Sequence, residues 1–464
     1  MGKGKIWKGR FSKETAREME KFSHSIDFDR ILYEEDIAVN RAWAKSLKKI
    51  GILNKEELKK ILTGLEKIKE EFKEGSFKIS EEDEDIHSAI ERRLTELIGE
   101  TGKKIHTGRS RNDQVITDLF LYLKKKGGDI IKKILKLQIV IIEKAKEELD
   151  LIIPGYTHLQ QAQPILFSHY LLSLFWVIER DKNLLLLCLK NCDIMPLGSG
   201  ALGGSGFKIE RKSLAQDLGF KEISWNSLDI TSHRDIPISF AFGLTMIALH
   251  LGRYASDFIN WATSEFGFVE IDEEYATGSS IMPQKRNPDG LELIRGKSAS
   301  AIGHLTALFS LCHGLPHGYN RDLQEDKKHL FQIIEIVDGS LDIFTGILKT
   351  LILNSDRIKK ALLPDLLATE IADYLTIKGV PFREAHEITG EILKWSNKNN
   401  LSIKEIPLDK LKEFSPFFEK DIYKWLDFER AIQRRSIKGG TAKSSVKEQI
   451  KQAEKIIRSS HINL

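Results

Sequence analysis

The stretch from Asp113 to Leu149 constrains the fold more than any other part of this sequence. Leu119, Leu123, Ile130, Ile134, Leu137, Ile141 and Ala145 recur at steps of three, four or seven residues, the period of one face of an α-helix, and only Gly127-Gly128 interrupts them. An unbroken helix of that length measures roughly 55 Å at 1.5 Å per residue. Burying the apolar stripe of so long a rod takes neighbours of similar length. The sequence supplies them at Ser168 to Lys190, Ile236 to Thr263, Pro288 to Cys312 and Asp322 to Leu353. A central long-helix bundle domain over residues 111–355 is therefore expected.

Shorter amphipathic patterns flank it. Ile37 to Ile50, Lys55 to Phe72 and Ile86 to Ile98, broken at Gly51 and at a polar turn around Gly75, predict an N-terminal helical domain over residues 1–110. From about Asp356 the pieces shorten again, with breaks at Pro364, Pro381 and Pro407, and predict a C-terminal helical domain over residues 356–464 that ends in a charged helix before Ser459. Strand-like alternation is scarce, so the expected class is all-α, in three helical domains. The helix after Pro288 carries Gly290, Gly296, Ser298, Ala299, Ser300, Ala301, Gly303 and Ala307. Small residues let backbones approach closely at some cost in helix propensity, so this helix is expected to be surrounded on all sides.

Bulk properties exclude several functions. Lys and Arg number 71 against 67 Asp and Glu, and no basic block is interleaved with aromatic residues, so no nucleic-acid partner is expected. The most apolar window, Ile165 to Ile178, contains His169 and is shorter than the roughly 20 residues of a membrane span. The N-terminal string MGKGKIWKGRF has charge with no apolar run behind it, unlike a signal peptide, and Ile6 breaks the myristoylation pattern. A cytoplasmic protein without a membrane partner is expected. Of the three cysteines, Cys188 and Cys192 share a helix face but have no further ligands nearby, so neither a disulfide framework nor a metal site is expected, and all three read as core thiols.

The chemistry is concentrated in GSSIMPQKRNPDGLE, residues 278–292. Gly278 with Ser279-Ser280 makes a polar loop, Pro283 stiffens its exit, and Asn287-Pro288-Asp289 starts a helix with Pro at the first helical position. Lys285 and Asn287 thus sit at a helix N-terminus, where free N–H groups, the helix dipole and the ammonium favour an anion such as a carboxylate. If a proton beside that carboxylate is removed, charge develops on its oxygens, where these donors stabilise it. Residues 106–114, HTGRSRNDQ, place Arg109 and Arg111 beside Ser110 and Asn112 at the start of the first long helix. That is a second carboxylate site, with Ser110 and Asp113 also able to form a capping box. The segment Pro154 to Gln160, PGYTHLQ, holds His158 in a tight turn after that helix, as a group able to pass protons.

These strings resemble known ones. GSSIMPQKRNP is similar to the signature loop of the fumarase/aspartase superfamily, GYTHLQ to its second loop, and RSRNDQ and YNRDLQEDK (residues 319–327) to the forms found in argininosuccinate lyases. The resemblance extends over essentially the full length. It implies reversible elimination of argininosuccinate to L-arginine and fumarate, the last step of arginine biosynthesis, through an aci-carboxylate-like intermediate, with no metal or organic cofactor. It implies further that Ser279 and His158 exchange protons as base and acid, in either assignment. Glu292 would orient His158, while Lys285 and Asn287 hold the carboxylate whose charge grows. Ser25, Arg109, Ser110, Arg111, Asn112, Thr157, Tyr319, Gln324 and Lys327 fall at substrate-contacting positions. Glu84-Asp85-Ile86-His87 resembles the family's first loop. NSLDITSHRD departs from the family's NSxDAVSDRD, with His233 in place of Asp.

Rival readings are adenylosuccinate lyase, which shares the KRNP loop, a crystallin-like structural protein, and a nicotinamide-dependent oxidoreductase, for which Gly198 to Gly203 fits GxGxxG. Pro196 and a helix-period segment stand where that last fingerprint needs a strand.

Helix length carries one more expectation. Asn112 and Thr157 lie at opposite ends of the first rod, and Lys285 is separated from Tyr319 by roughly 35 Å of another. No small substrate spans such distances, so loops from opposite ends must come from different copies of the chain. This agrees with the homotetramer implied by the resemblance, in which three chains build each site.

Overall fold

The computed structural model describes residue 13 and residues 15–462; the N-terminal string MGKGKIWKGRF lies outside them. The flanking and central helices form close to where the sequence places them. Helix α1 (Tyr33–Lys49) is followed by α2 (Lys55–Lys73) and α3 (Ile86–Ile98). Both later starts are fixed by reciprocal capping boxes, Asn54 with Glu57 and Asp85 with Ser88. The long helices are α4 (Arg111–Glu147), α5 (Phe167–Asn191), α6 (Asp235–Trp261), α7 (Asp289–Cys312) and α8 (Asp326–Thr350). A short 3-10 turn, Arg321–Gln324, stands where the sequence pattern already read as α8.

Helix α4 runs unbroken through Gly127-Gly128, and the two glycines differ in their surroundings. A Cβ on Gly127 would lie 2.3 Å from Leu189 Cδ2, so that residue is small because α5 packs against it, whereas Gly128 faces open space. After α4 the sequence reading found only a Pro-Gly stop. The structure instead has an antiparallel hairpin, β1 (Ile152–Thr157) and β2 (Gln160–Leu166), with Pro154 opposite Pro164. The two prolines face each other across the pair, so the hairpin tolerates their missing donors. Among the described residues the other strands are two short pairs, Ile194–Met195 with Glu222–Ile223 and Val269–Glu270 with Ile352–Leu353.

The chain forms two compact units. One comprises the described residues up to 129 with 184–245 and 300–335; the other comprises 130–183, 246–299 and 336 onward. In the first, Trp43, Leu47, Leu119, Phe120 and Phe240 are buried, and Tyr122 meets Phe331 edge-on. In the second, Tyr170 and Trp261 pack at 4.7 Å beside Phe258, which meets Phe344. Farther along the second unit, Ile371, Tyr374, Ile392, Ile403 and Phe418 form a separate core cluster.

Three surfaces differ from the expectations. Helix α7 is covered along one stripe, Leu291, Ile294, Ala301 and Leu308, while Leu293, Ile302 and Phe309 on other faces are 59%, 45% and 53% exposed. Within one chain it is therefore not surrounded. Helix α6 is long and apolar enough to cross a membrane, which the sequence reading did not notice. Its apolar window is 61% buried within the protein, as suits a core helix. Cys188 and Cys192 are buried free thiols, but Cys312 is only half-buried.

The two glycines of α4 give a test. Gly128→Ala is expected to stabilise the protein by about 0.5–1 kcal/mol through lower chain entropy and better helix propensity. Gly127→Ala must displace Leu189 and lose that gain. Denaturant midpoints of the two variants check this, and equal shifts would contradict the packing described.

Candidate active site

In the first unit the start of α3 acts as a hub. Ser25 is buried; its N–H donates to Glu84 O at 2.8 Å and its hydroxyl to Asp29 Oδ2 at 2.6 Å, while Asp29 Oδ1 accepts the N–H of Ile86 at 3.0 Å. From the 3-10 turn before α8, Arg321 bonds Glu84 and donates to Ser23 O at 2.9 Å, and Gln324 donates to the same carbonyl at 3.1 Å. Lys327 is buried on Asp326 Oδ1 at 2.8 Å, and Asp326 also binds Arg234. Burial pushes the phenol of the half-buried Tyr319 up from its usual pKa. Ser25, Tyr319, Gln324 and Lys327 are thus carried on segments stitched to one another.

The turn before α4 joins this hub. Arg111 Nε lies 3.2 Å from Asp85 Oδ2, and its Nη1 donates to Gln114 at 2.6 Å. Half of the expected capping box is present. Asp113 Oδ1 accepts the N–H of Ser110 at 3.0 Å, but Ser110 Oγ accepts from Asn112, not from Asp113. Arg109 lies deeper than the sequence reading implied. Its Nη2 donates to Asn40 at 2.8 Å, and its Nε and Nη1 are buried without partners, so in this chain the guanidinium faces the interior.

Beneath it lies a polar cluster that sequence reasoning missed. Asp36, His87 and Asp118 are buried, with one ligand atom each within 4.8 Å of the others, a spacing that a metal ion can use. However, Asp36 already accepts from His87 Nδ1 at 2.9 Å, from Asn40 Nδ2 at 2.7 Å and from Gln114, and Asp118 Oδ2 lies 3.1 Å from His87 Nδ1. Protons and guanidinium groups already balance this charge, so the residues form an ion-pair network and do not make a convincing metal centre. Burial alone lowers the His87 pKa, but Asp36 and Asp118 outweigh it and hold the imidazole up to about 10. Burial and the adjacent Asp36 push Asp118 well above the usual carboxylate range. A signal for part of this existed in the sequence, since Asp36 and Asn40 are one helical turn apart on α1.

The second unit holds the other candidate residues. Loop 278–286 is closed at its base by a bridge in which Thr277 and Asn287 exchange N–H···O bonds of 3.2 and 2.8 Å. Inside it, Ser279 Oγ accepts the N–H groups of Met282 at 3.1 Å and Ile281 at 3.3 Å. Lys285 is exposed, with its N–H on Met282 O at 3.0 Å. Helix α7 then begins at Asp289, one residue later than expected. At the hairpin tip beyond Thr157, His158 and Leu159 have φ of 53° and 58°, left-handed values that are strained for residues with a Cβ and typical of a two-residue hairpin turn. His158 and Glu292 are both exposed, and among the described residues no hydrogen bond or ion pair joins them.

Elsewhere, the His233 ring stacks near His317, 6.1 Å between centroids, and is half exposed. The GxGxxG string follows only the two-residue strand Ile194–Met195, and the next helix begins at Arg211, which is not a dinucleotide fold.

Residues 9–303 match a family model described as lyase, and residues 365–433 match one described as argininosuccinate lyase C-terminal. The chain is 48% identical to the argininosuccinate lyase of Carboxydothermus hydrogenoformans, covering 98% of this chain and 100% of that one. It is also 48% identical to that of a Geobacillus species, covering 98% and 99%. Among solved structures, EDDS lyase in complex with formate superimposes with a TM-score of 0.84 at 26% identity, over 97% of this chain and 92% of that one. The 3-carboxy-cis,cis-muconate lactonizing enzyme of Pseudomonas putida, at 18% identity and a TM-score of 0.76 over 95% and 99%, shares the fold.

The buried imidazolium predicts a pH effect. Because its folded pKa of about 10 exceeds the ordinary 6.5, its ion pair adds stability that is complete below about 6.5 and is lost as pH rises to about 10. Urea midpoints are expected to fall across that window, and His87→Gln to flatten the fall. An unchanged slope in the variant would assign it to another group.

Proposed function

Since the chain belongs to the argininosuccinate lyases, a family of carbon–nitrogen lyases that split argininosuccinate reversibly into L-arginine and fumarate, we propose how its residues divide that reaction. Ser279 is the base that takes the proton beside a succinyl carboxylate. The released electron pair moves into that carboxylate, giving an aci-carboxylate held by Lys285 and Asn287. Collapse forms the C=C bond of fumarate and breaks the C–N bond. The guanidino nitrogen takes its proton from His158, which Glu292 orients and Thr157 flanks. Because the reaction runs both ways, Ser279 and His158 exchange roles in the reverse direction.

One observation carries this reading. Ser279 Oγ already sits among donors, accepting from the Ile281 and Met282 N–H groups in the loop that also holds Lys285. Hydrogen bonds and positive charge directed at an oxygen favour its anion, which is what a serine base requires. Arg111, Ser110 and Asn112 bind the second carboxylate, with Arg109 as the buried support behind them. Ser25, Tyr319, Gln324 and Lys327 position the remainder of the substrate. No cofactor, nucleic acid or membrane enters the proposal. A cytoplasmic place in arginine biosynthesis fits a reaction whose product is arginine.

We further propose that the active form is a homotetramer. Helix α4 holds 37 residues, roughly 55 Å, with the Ser110–Asn112 turn at its start and the His158 hairpin after its end. The uncovered faces of α7, with Leu293, Ile302, Phe309 and small residues between them, suit close packing against second copies. Within the proposed division 1–110, 111–355 and 356–464, the separate core around Tyr374 supports the C-terminal part alone. The adenylosuccinate and crystallin-like readings have no comparable support from the relatives.

The test is an assay of the purified protein with argininosuccinate, following fumarate absorbance, with adenylosuccinate, malate and aspartate in parallel. Activity is expected on argininosuccinate, and Ser279→Ala is expected to lower kcat by about three orders of magnitude or more with unchanged thermal unfolding. Near-normal turnover in that variant would remove Ser279 from the mechanism.

A further inference from the structure

The start of α4 carries a carboxylate that solvent does not reach. Asp113 is 0% exposed, and its oxygens are shared between two stretches of chain distant in sequence. Oδ1 accepts the N–H of Ser110 at 3.0 Å; Oδ2 accepts those of Gly198 at 3.0 Å and Gly200 at 2.8 Å. Gly198 and Gly200 have φ of +91° and +60°, and the left-handed backbone turns both N–H groups toward one oxygen. A side chain would meet backbone at Gly200 and would press on the Arg211 side chain at Gly198. A Cβ on Gly200 would lie 2.9 Å from Gly204 O, and one on Gly198 3.2 Å from Arg211 Cδ.

The loop is braced on its other sides. Arg211 donates to Leu197 O and Met195 O at 3.0 Å each, Asn112 Nδ2 to Ala201 O at 3.3 Å, and Ser205 Oγ to Gly108 O at 2.6 Å. Capping α4 would need only the bond to Ser110. The second oxygen ties the helix start to a loop 85 and 87 residues away. Burial raises the Asp113 pKa to about 6 against the pull of Arg109 and three N–H groups, so a charge is kept here at a cost that helix capping does not require.

We propose that Asp113 is a positioning residue for the elimination reaction: it locks the Gly198–Gly200 loop to the Ser110–Asn112 turn, so that the turn meets a substrate carboxylate in one fixed geometry. Asp113 itself touches no substrate. The proposal rests on the reading of Ser110, Arg111 and Asn112 as substrate contacts.

Steady-state kinetics with argininosuccinate on three full-length variants test it. Asp113→Asn places an amide NH2 where an acceptor is needed, Gly200→Ala strains the same lock from the loop side, and Arg111→Gln removes a contact directly. All three are expected to raise KM about tenfold or more. For Asp113→Asn and Gly200→Ala, kcat should change less than about threefold and thermal unfolding should remain cooperative. If Arg111→Gln raises KM while the other two leave it unchanged, the locking role is overturned and the site reading stands. If Arg111→Gln leaves KM unchanged, the site reading fails and the locking role with it. A fall in kcat at constant KM in Asp113→Asn would also overturn the proposal. Should Asp113→Asn fail to fold, Gly200→Ala decides alone.

Discussion

An α-helix rises 1.5 Å per residue, and the 37 residues of α4 turn that small number into the main constraint on this protein. Ser110 and the first helical residues, Arg111 and Asn112, stand at its start, and the hairpin after it presents Thr157 and His158. A substrate the size of argininosuccinate cannot bridge the rod. The same applies to α7, which starts beside Lys285 and Asn287 and ends before Tyr319. The fold thus sets the loops of the proposed site at rod ends, and in our account packing of copies brings different ends together. The partly exposed α7 suits that role. Its covered stripe stabilises the chain, and its small, apolar uncovered faces are the ones we propose that neighbouring copies cover.

At the rod ends the recurring device is a helix start furnished with charge. The Asp85 box begins α3, Asp113 stands within the first turn of α4, and Lys285 precedes α7. Where charge is buried, partners accompany it: Asp36 has His87, Asn40 and Gln114, and Asp326 has Lys327 and Arg234. Where charge is left exposed, as at Lys285, the loop around it is polar and closed at its base, a form suited to receiving an anion. Removing one partner from the buried sets would strand a charge, which costs several times what an exposed pair contributes.

Much of this was legible in the sequence, for reasons that can be named. Helix α3 was read to the residue because its capping residues mark its start, and α4 was read through Gly127-Gly128 because the apolar period resumes in phase beyond them. The hairpin at Ile152 was not read, because Pro154-Gly155 is also a helix stop and the facing Pro164 is visible only once the strands pair. The polar cluster around His87 was missed because Asp36 and Asp118 lie on helices whose polar residues ordinarily face water. Arg109 and Arg111 look alike in sequence, yet one is buried on Asn40 and the other reaches Asp85. Ser25 and Gln324 were singled out only through family resemblance, since tertiary contacts with Glu84 and Ser23 are what place them.

The most direct test of sites shared between copies uses two inactive proteins. Ser279→Ala and Arg111→Gln chains are co-expressed so that they assemble together, and the activity of the mixed oligomers is measured at argininosuccinate concentrations well below the KM of the unmodified enzyme, where both parents are of low activity. If Ser279 and Arg111 of one site come from different chains, random mixing leaves about a quarter of sites with both native residues, and activity should return to about that fraction of the unmodified enzyme. Mixed oligomers no more active than their parents would show that one chain supplies both residues, and would contradict the account.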